Sequence, residues 1–246
     1  MKKNGYISSE NSTQTVYKKL KQLIDDNQLV AGEKIFQEKF AKDFGVSRTP
    51  VIKALNKLES EGFVDNIPDR GFYIHVLKVR ELYELLIMRE AMDGVVAKYL
   101  AKNRTEEQSQ ALLKIWEPFD ISWNSDKFQD KNLRVNYIIA DRQFHKCQYE
   151  WCNFEILKKI SSTSQILSRT FLAGSIRSEN KTLMEHLEIA NAIAECDPKM
   201  AGKAAAHHNA QTVEMLEDAI NKLKAFGIDA GKLALDVFEN QYLYRL

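Results

Sequence analysis

The stretch from Gln37 to Gly62 limits the fold most sharply. Phe40, Ala41 and Phe44 share one side of a short helical segment, and Gly45 follows, the residue type that enters left-handed backbone at least cost. Two residues on, Ser47 can cap another helix, and Pro50 falls in its first turn, where a missing N–H breaks no helical hydrogen bond. Val51, Ala54, Leu55 and Leu58 supply a buried face, and Gly62 closes the segment. A helix, a glycine turn and a second helix at this spacing suit a DNA-reading head.

The flanking residues extend that unit. Val16, Leu20, Leu23 and Ile24 predict a first helix between Thr13 and Asn27, with Ser12 or Thr13 as its N-cap. Phe63–Ile67 and Gly71–Val76 predict two short strands around Pro68, Asp69 and Arg70, a hairpin wing. The expectation is a winged helix-turn-helix over residues 1–78 that binds double-stranded DNA. A helix that presents its N-terminus to a duplex brings side chains into the major groove and aims its orphan N–H groups at phosphates. Arg48, Thr49 and Lys53 hold those positions. Arg48 offers a planar fork to a guanine edge, Thr49 a contact to phosphate or a thymine methyl, and Arg70 a reach into a neighbouring minor groove or backbone.

Strand signals fade after Val76, and six or seven helices are expected over residues 79–246, an all-α bundle. The fold class is therefore mainly α. Leu82, Leu85, Leu86, Arg89, Met92, Asp93 and Val96 outline a long first helix, and Thr105, Glu106 and Glu107 open another as a capping box. Apolar spacing is lost near Asp120–Lys131, where a loop is expected. Asp197 and Pro198 begin a last long helix, and Leu233, Leu235, Val237, Phe238, Tyr242 and Leu243 predict an amphipathic helix in the tail 225–246. Docking of that helix across a subunit boundary is one option.

Composition narrows the setting more than the function. No apolar run is long enough to span a bilayer, and the N-terminus has no secretory pattern. The three cysteines, Cys147, Cys152 and Cys196, form no Cys-x-x-Cys pair, which argues against a disulfide framework and a thiolate zinc site and points to the cytoplasm. Net charge is +1 overall, with +3 carried through Lys78 and −2 beyond it, a weak pull toward nucleic acid for the first part alone.

Four residues carry metal chemistry in the second part. Asp141 and His145 are one helical turn apart on the same face, while His186 and His208 belong to two later helices. Three imidazoles and one carboxylate suit a divalent ion, zinc first and nickel or manganese next, with positions left open for water or a ligand. Scattered histidines are also ordinary surface or core residues. His207 points about 100° away from His208 around the helix, which makes His208 the ligand of the two. Trp116, Trp123 and Trp151 read as packing, and Cys147 as core.

The string Gly32-Glu33-Lys34-Ile35 through Phe44-Gly45-Val46-Ser47-Arg48-Thr49-Pro50-Val51 to Glu61-Gly62-Phe63-Val64 resembles the GntR family of bacterial regulators. The resemblance implies operator contacts by Ser47, Arg48, Thr49 and the wing glycine Gly71. Lys39 stands where the family usually has arginine, which keeps the charge without the bidentate fork, and Ile52 stands where another arginine is usual.

Arg89-Glu90-Ala91-Met92-Asp93, Asp141-x-x-Phe144-His145, Asn153, Glu185-His186-x-x-Ile189 and Asp197 followed by His208 are similar to the FCD effector domain of the FadR-type branch. That resemblance implies a metal held by Asp141, His145, His186 and His208 that anchors a small carboxylate metabolite. It also implies effector contacts by Arg89 and Asn153, although a salt bridge from Arg89 to Asp93 or Glu90 is an equal alternative. Asp93 replaces a usual glutamate. The function expected is that of a homodimeric repressor responsive to a carboxylate. Its rivals are a regulator that senses the metal itself and a metal-dependent hydrolase.

Overall fold

The computed structural model describes residues 9–26, 28–123, 127–155, 177–235 and 237. The chain divides into two compact units, Met1–Leu77 and Lys78–Leu246.

The first unit is built on three helices, α1 (Ser9–Asp25), α2 (Gln37–Phe44) and α3 (Arg48–Ser60), followed by β1 (Val64–Ile67) and β2 (Gly71–Ile74). Helix α1 begins earlier than the Thr13 expected. Its apolar stripe, Val16, Leu20 and Ile24, is buried together with Val51, Ala54, Leu55 and Leu58 of α3. Gly45 ends α2 in left-handed backbone at φ 65, and its N–H meets the Ala41 and Lys42 carbonyls. Ser47 takes the N-cap position of α3 in extended backbone, without the side-chain cap hydrogen bond expected of it.

Strands β1 and β2 pair antiparallel, with Val64 opposite Ile74 and Ile67 opposite Gly71. The reversal between them uses positive φ at Asp69 and Gly71, and the Arg70 N–H donates to the Ile67 carbonyl over 3.0 Å. The segment Gly32–Ile35, which the sequence shows only as an interruption, adds an edge to this wing. Gly32 N–H donates to Ile74 O over 2.9 Å, Ile74 N–H to Glu33 O over 2.8 Å, and Ile35 N–H to Phe72 O over 2.8 Å.

The second unit contains α4 (Val79–Asn103), α5 (Glu106–Trp116), a short 3₁₀ turn (Lys127–Gln129), α6 (Lys131–Cys152), α7 (Glu179–Ala194) and α8 (Pro198–Ala225). That is five α-helices among the described residues. The 3₁₀ turn and the start of α6 replace the end of the loop expected near Asp120–Lys131. Local signals set the helix starts: Thr105 caps α5 with Gln108 as the reciprocal partner, Asp130 caps α6, and Asp197 caps α8. Trp116, Tyr137, Phe144, Leu183, Ile193 and Ala201 lie in one buried core. Trp123, Trp151 and Cys147 are half-buried against it, in the packing role expected of them.

The described part of the tail is helical at Leu235 and Val237, as expected, but not at Leu233. After α8 the chain turns and runs back, and Ala234 bridges to Lys78 in the manner of a strand. Val79 and Arg80 donate their N–H groups to Leu233 O and Ala230 O over 3.1 and 3.2 Å. These are orphan donors at the start of α4, so the returning segment closes a helix end of its own chain. Most of the expected amphipathic helix, Phe238, Tyr242 and Leu243 included, lies outside the described residues.

Candidate metal centre and nucleic-acid interface

In the first unit, nearly all the residues assigned to DNA contact are open to solvent. Lys39, Ser47, Arg48, Thr49, Lys53 and Arg70 are all exposed, and Gly71 is half-buried beside Arg70. The buried residues of α3 lie on its other side, so packing leaves the leading turn of the helix open. Arg48 Nη2 stands 2.9 Å from Glu38 Oε1 of α2, and both side chains remain more than half exposed.

In the second unit, three helices bring three imidazoles together. His145 of α6, His186 of α7 and His208 of α8 each offer a ring nitrogen within 4.8 Å of the others. All three are buried, whereas His207 is exposed. His145 Nε2 stands 3.2 Å from His186 Nε2. Asp141 Oδ1 lies 3.2 Å from His186 Nε2 and 3.8 Å from His145 Nε2. Donors bound about 2.0–2.2 Å from one ion stand about 3–3.5 Å apart; both 3.2 Å separations fall in that range, the 3.8 Å one lies beyond it, and the mutually close group comprises the three histidines without Asp141. Burial, with Arg89 and His208 nearby, pushes the His145 and His186 pKa well down, which leaves both rings neutral with lone pairs to donate.

The outer nitrogens are held as well. His208 Nδ1 is 2.7 Å from Glu185 Oε2, and His186 Nδ1 is 3.3 Å from Tyr137 Oη, which itself meets Thr182 Oγ1 at 2.6 Å. The Glu185 carboxylate can only accept, so His208 donates through Nδ1 and keeps Nε2 as its acceptor, the tautomer a metal requires. Glu185 also accepts both terminal nitrogens of Arg177. Burial alone raises the Glu185 carboxyl, but the hydrogen bonds from His208 and Arg177 outweigh it and hold the pKa down to about 2. Partial burial raises the Asp141 carboxyl, opposed by the attraction of His208 and Arg89.

Asp93 organises the far side of the cluster. Its carboxylate accepts from Arg89 Nη2 at 2.8 Å, from Asn209 Nδ2 at 2.9 Å and from the Tyr149 hydroxyl, and it lies 3.6 Å from His145 Nδ1. Arg89 is therefore engaged in the ion pair that the sequence left as an alternative. Asn153 is exposed at the C-cap of α6 in left-handed backbone, φ 50, a conformation asparagine tolerates better than most residues.

Sequence reasoning missed Glu185, Tyr137 and Arg177, and read Trp116 as packing without its histidine partner. Glu185 adjoins His186, and neighbours on a helix point about 100° apart. Only the packing of α7 against α8 reveals that Glu185 serves His208 instead. Trp116 lies against His186 with ring centroids 4.6 Å apart and planes 10° from parallel.

Residues 12–74 match the family described as bacterial regulatory proteins, gntR family, and residues 81–211 match the FCD domain. The Nta operon transcriptional regulator of Aminobacter aminovorans is 27% identical over 210 residues, 82% of this chain and 95% of that protein. The HTH-type transcriptional repressor RspR of Escherichia coli K12 is 24% identical over 196 residues, 79% of this chain and 84% of RspR. Among solved structures, E. coli McbR/YncC has a similar fold, with a TM-score of 0.65 at 20% identity over 84% of this chain and 97% of that one. Two adjoining matches of this extent set the hydrolase reading aside: the chain belongs to the gntR family of bacterial regulatory proteins, DNA-binding transcription regulators rather than enzymes, and carries an FCD domain.

Proposed function

We propose that this regulator is a repressor whose operator affinity is set by a small carboxylate bound at a metal ion in its FCD domain. The observation that carries the reading is the convergence of His145, His186 and His208 beside Asp141, with outer nitrogens already held by Glu185 and Tyr137. Asp141 and the three histidines would hold the metal, zinc being the first choice for a set rich in imidazole. A divalent ion there supplies a Lewis-acidic centre for an oxygen ligand. Arg89 adds positive charge behind Asp93, and Asn153 is assigned to the effector on the family resemblance alone.

DNA contact falls to the exposed residues of the first unit. Arg48 and Thr49 read base edges from the leading turn of α3, Ser47, Lys39 and Lys53 meet phosphates, and Arg70 and Gly71 carry the wing to the adjacent groove. Two copies reading a palindrome match the symmetry such operators have. The protein works in the cytoplasm.

The effector must bind the DNA-free and DNA-bound arrangements unequally, because a ligand of equal affinity for both shifts nothing. The test is operator affinity measured on metal-loaded and chelator-stripped protein, each with and without a panel of small carboxylates. A carboxylate that weakens DNA binding only when metal is present supports the reading. Loss of DNA binding on chelation alone, with every acid silent, replaces it with direct metal sensing. Affinity unmoved by either treatment overturns both.

A further inference from the structure

Helix α3 turns a mixed stripe toward solvent. At about 100° of rotation per residue, Arg48, Thr49, Ile52 and Asn56 fall within an arc of about 100°, and the buried residues Val51, Ala54, Leu55 and Leu58 all lie outside it. Arg48, Thr49 and Asn56 are exposed, and Ile52 is half-buried among them.

Arg48 is held from a neighbouring helix. Glu38 Oε1, in the first turn of α2, stands 2.9 Å from Arg48 Nη2, with the two side chains 66% and 60% exposed. An ion pair this open adds little to stability and is screened by salt. Its effect is geometric, because a guanidinium is a planar fork, and a partner on one edge sets the plane in which the other edge meets a ligand. The first unit has two arginines, Arg48 and Arg70, and Arg70 belongs to the wing, so its helices carry a single such fork. Guanine, with O6 and N7 side by side in the major groove, is the base that fits it. A carboxylate at this place also repels phosphates, a cost to DNA binding that a glutamate with no orienting role would leave without return.

Ile52 lies one turn beyond Arg48 and can neither donate nor accept a hydrogen bond through its side chain. The complementary feature for an apolar side chain in the major groove is the C5 methyl of thymine. Four residues of helix rise about 6 Å, close to two base steps of about 3.4 Å each. We propose that this stripe reads a guanine and a thymine about two base steps apart in the operator: Arg48 takes the guanine with Glu38 as its positioning residue, and Ile52 takes the thymine methyl.

The proposal rests on the assignment of α3 to DNA contact in the functional reading above, and it holds whether or not an acid or a metal sets the affinity.

The test lets the full chain select from a pool of random-sequence duplexes, then titrates the enriched duplex and a scrambled one, with circular dichroism to verify the fold of each variant. Enriched sites are expected to share a guanine and a thymine at that spacing. Uracil in place of the thymine removes one methyl group and is expected to weaken wild-type binding about fourfold, while Ile52→Ala binds the two duplexes equally. Ile52→Arg is expected to turn the preference at that position from thymine to guanine, a gain that damage to the fold does not produce. Glu38→Ala is expected to bind scrambled DNA at least as tightly as wild type, since a negative charge is gone, yet to lose about tenfold in discrimination at the guanine. In an Arg48→Ala background the same change is expected to alter discrimination no further.

Wild-type binding blind to uracil, an Ile52→Ala protein that still prefers thymine over uracil, or a Glu38 effect that persists without Arg48 would each overturn the proposal. A chain that enriches no duplex overturns the DNA-contact reading itself, whereas one that enriches a duplex lacking the guanine and thymine pair overturns this proposal alone.

Discussion

Trp116 lies flat on His186, with ring centroids 4.6 Å apart and planes 10° from parallel. The indole therefore reports directly on an imidazole assigned to the metal. Titration with Ni²⁺ is expected to quench emission from Trp116, and Trp116→Phe is expected to remove most of that response while metal binding by calorimetry persists. An unchanged response in the Trp116→Phe protein would place the ion elsewhere.

Glu185 holds His208 from outside the cluster. Replacing it with glutamine keeps the size and removes the charge that orients the ring and pairs with Arg177. Changes to such outer partners typically lower metal affinity by about 10- to 100-fold. Competition with a chromophoric chelator measures this, and wild-type affinity in Glu185→Gln would show that the bond to His208 does no work for the metal.

The cysteines should separate by environment. Burial pushes the Cys147 thiol up to about 12 and the Cys152 thiol up to about 11, whereas Cys196 is exposed. Thiolate is the reactive form, so a raised pKa slows reaction at every pH below it, and the two rates climb only as pH nears 11 to 12. At pH 8 the native protein is expected to show one fast thiol toward a disulfide reagent and three after unfolding. Mass spectrometry of the labelled peptides identifies the fast one as Cys196 or refutes the assignment.

Arg48 offers a fork that lysine lacks. Arg48→Lys is expected to weaken operator binding by about 10- to 100-fold, the scale of one bidentate base contact, and to relax base preference at a single position. Lys53→Ala is expected to weaken all DNA sequences alike and to reduce the slope of affinity against salt by about one. Binding curves at several salt concentrations on operator and scrambled duplexes separate the two effects.

Asp197 accepts hydrogen bonds from Lys199 N and Met200 N over 3.0 and 2.9 Å, which closes the start of α8. Asp197→Ala is expected to cost about 1 kcal/mol and to lower the melting temperature by about 2–4 °C. An unaltered melt would mean that water replaces the cap without loss.

Legibility in the sequence followed the range of the forces involved. Gly45, Pro50, Thr105 and Asp197 act on backbone within a few residues, and the helix boundaries they suggest agree with the structure to within a residue or two. The pairing of Asp141 with His145 was visible because one helical turn brings them together. Convergence of His186 and His208 on that pair needed the family resemblance, since no local spacing links three helices. Glu185 and Tyr137, and the histidine partner of Trp116, stayed hidden because their roles depend on which helix packs against which. The same reason accounts for the tail, where Leu233, expected in an extra amphipathic helix, instead meets the start of α4.

The single carboxylate of Asp93 is shared among residues of three helices: Arg89 on its own, Tyr149 on α6 and Asn209 on α8. One short side chain thus works as a caliper. It sets how far apart those helices stand at the level of the histidines, and a residue one methylene longer would reset all three spacings together. Asp93 accordingly gauges the spacing of α4, α6 and α8 beside His145 and His208.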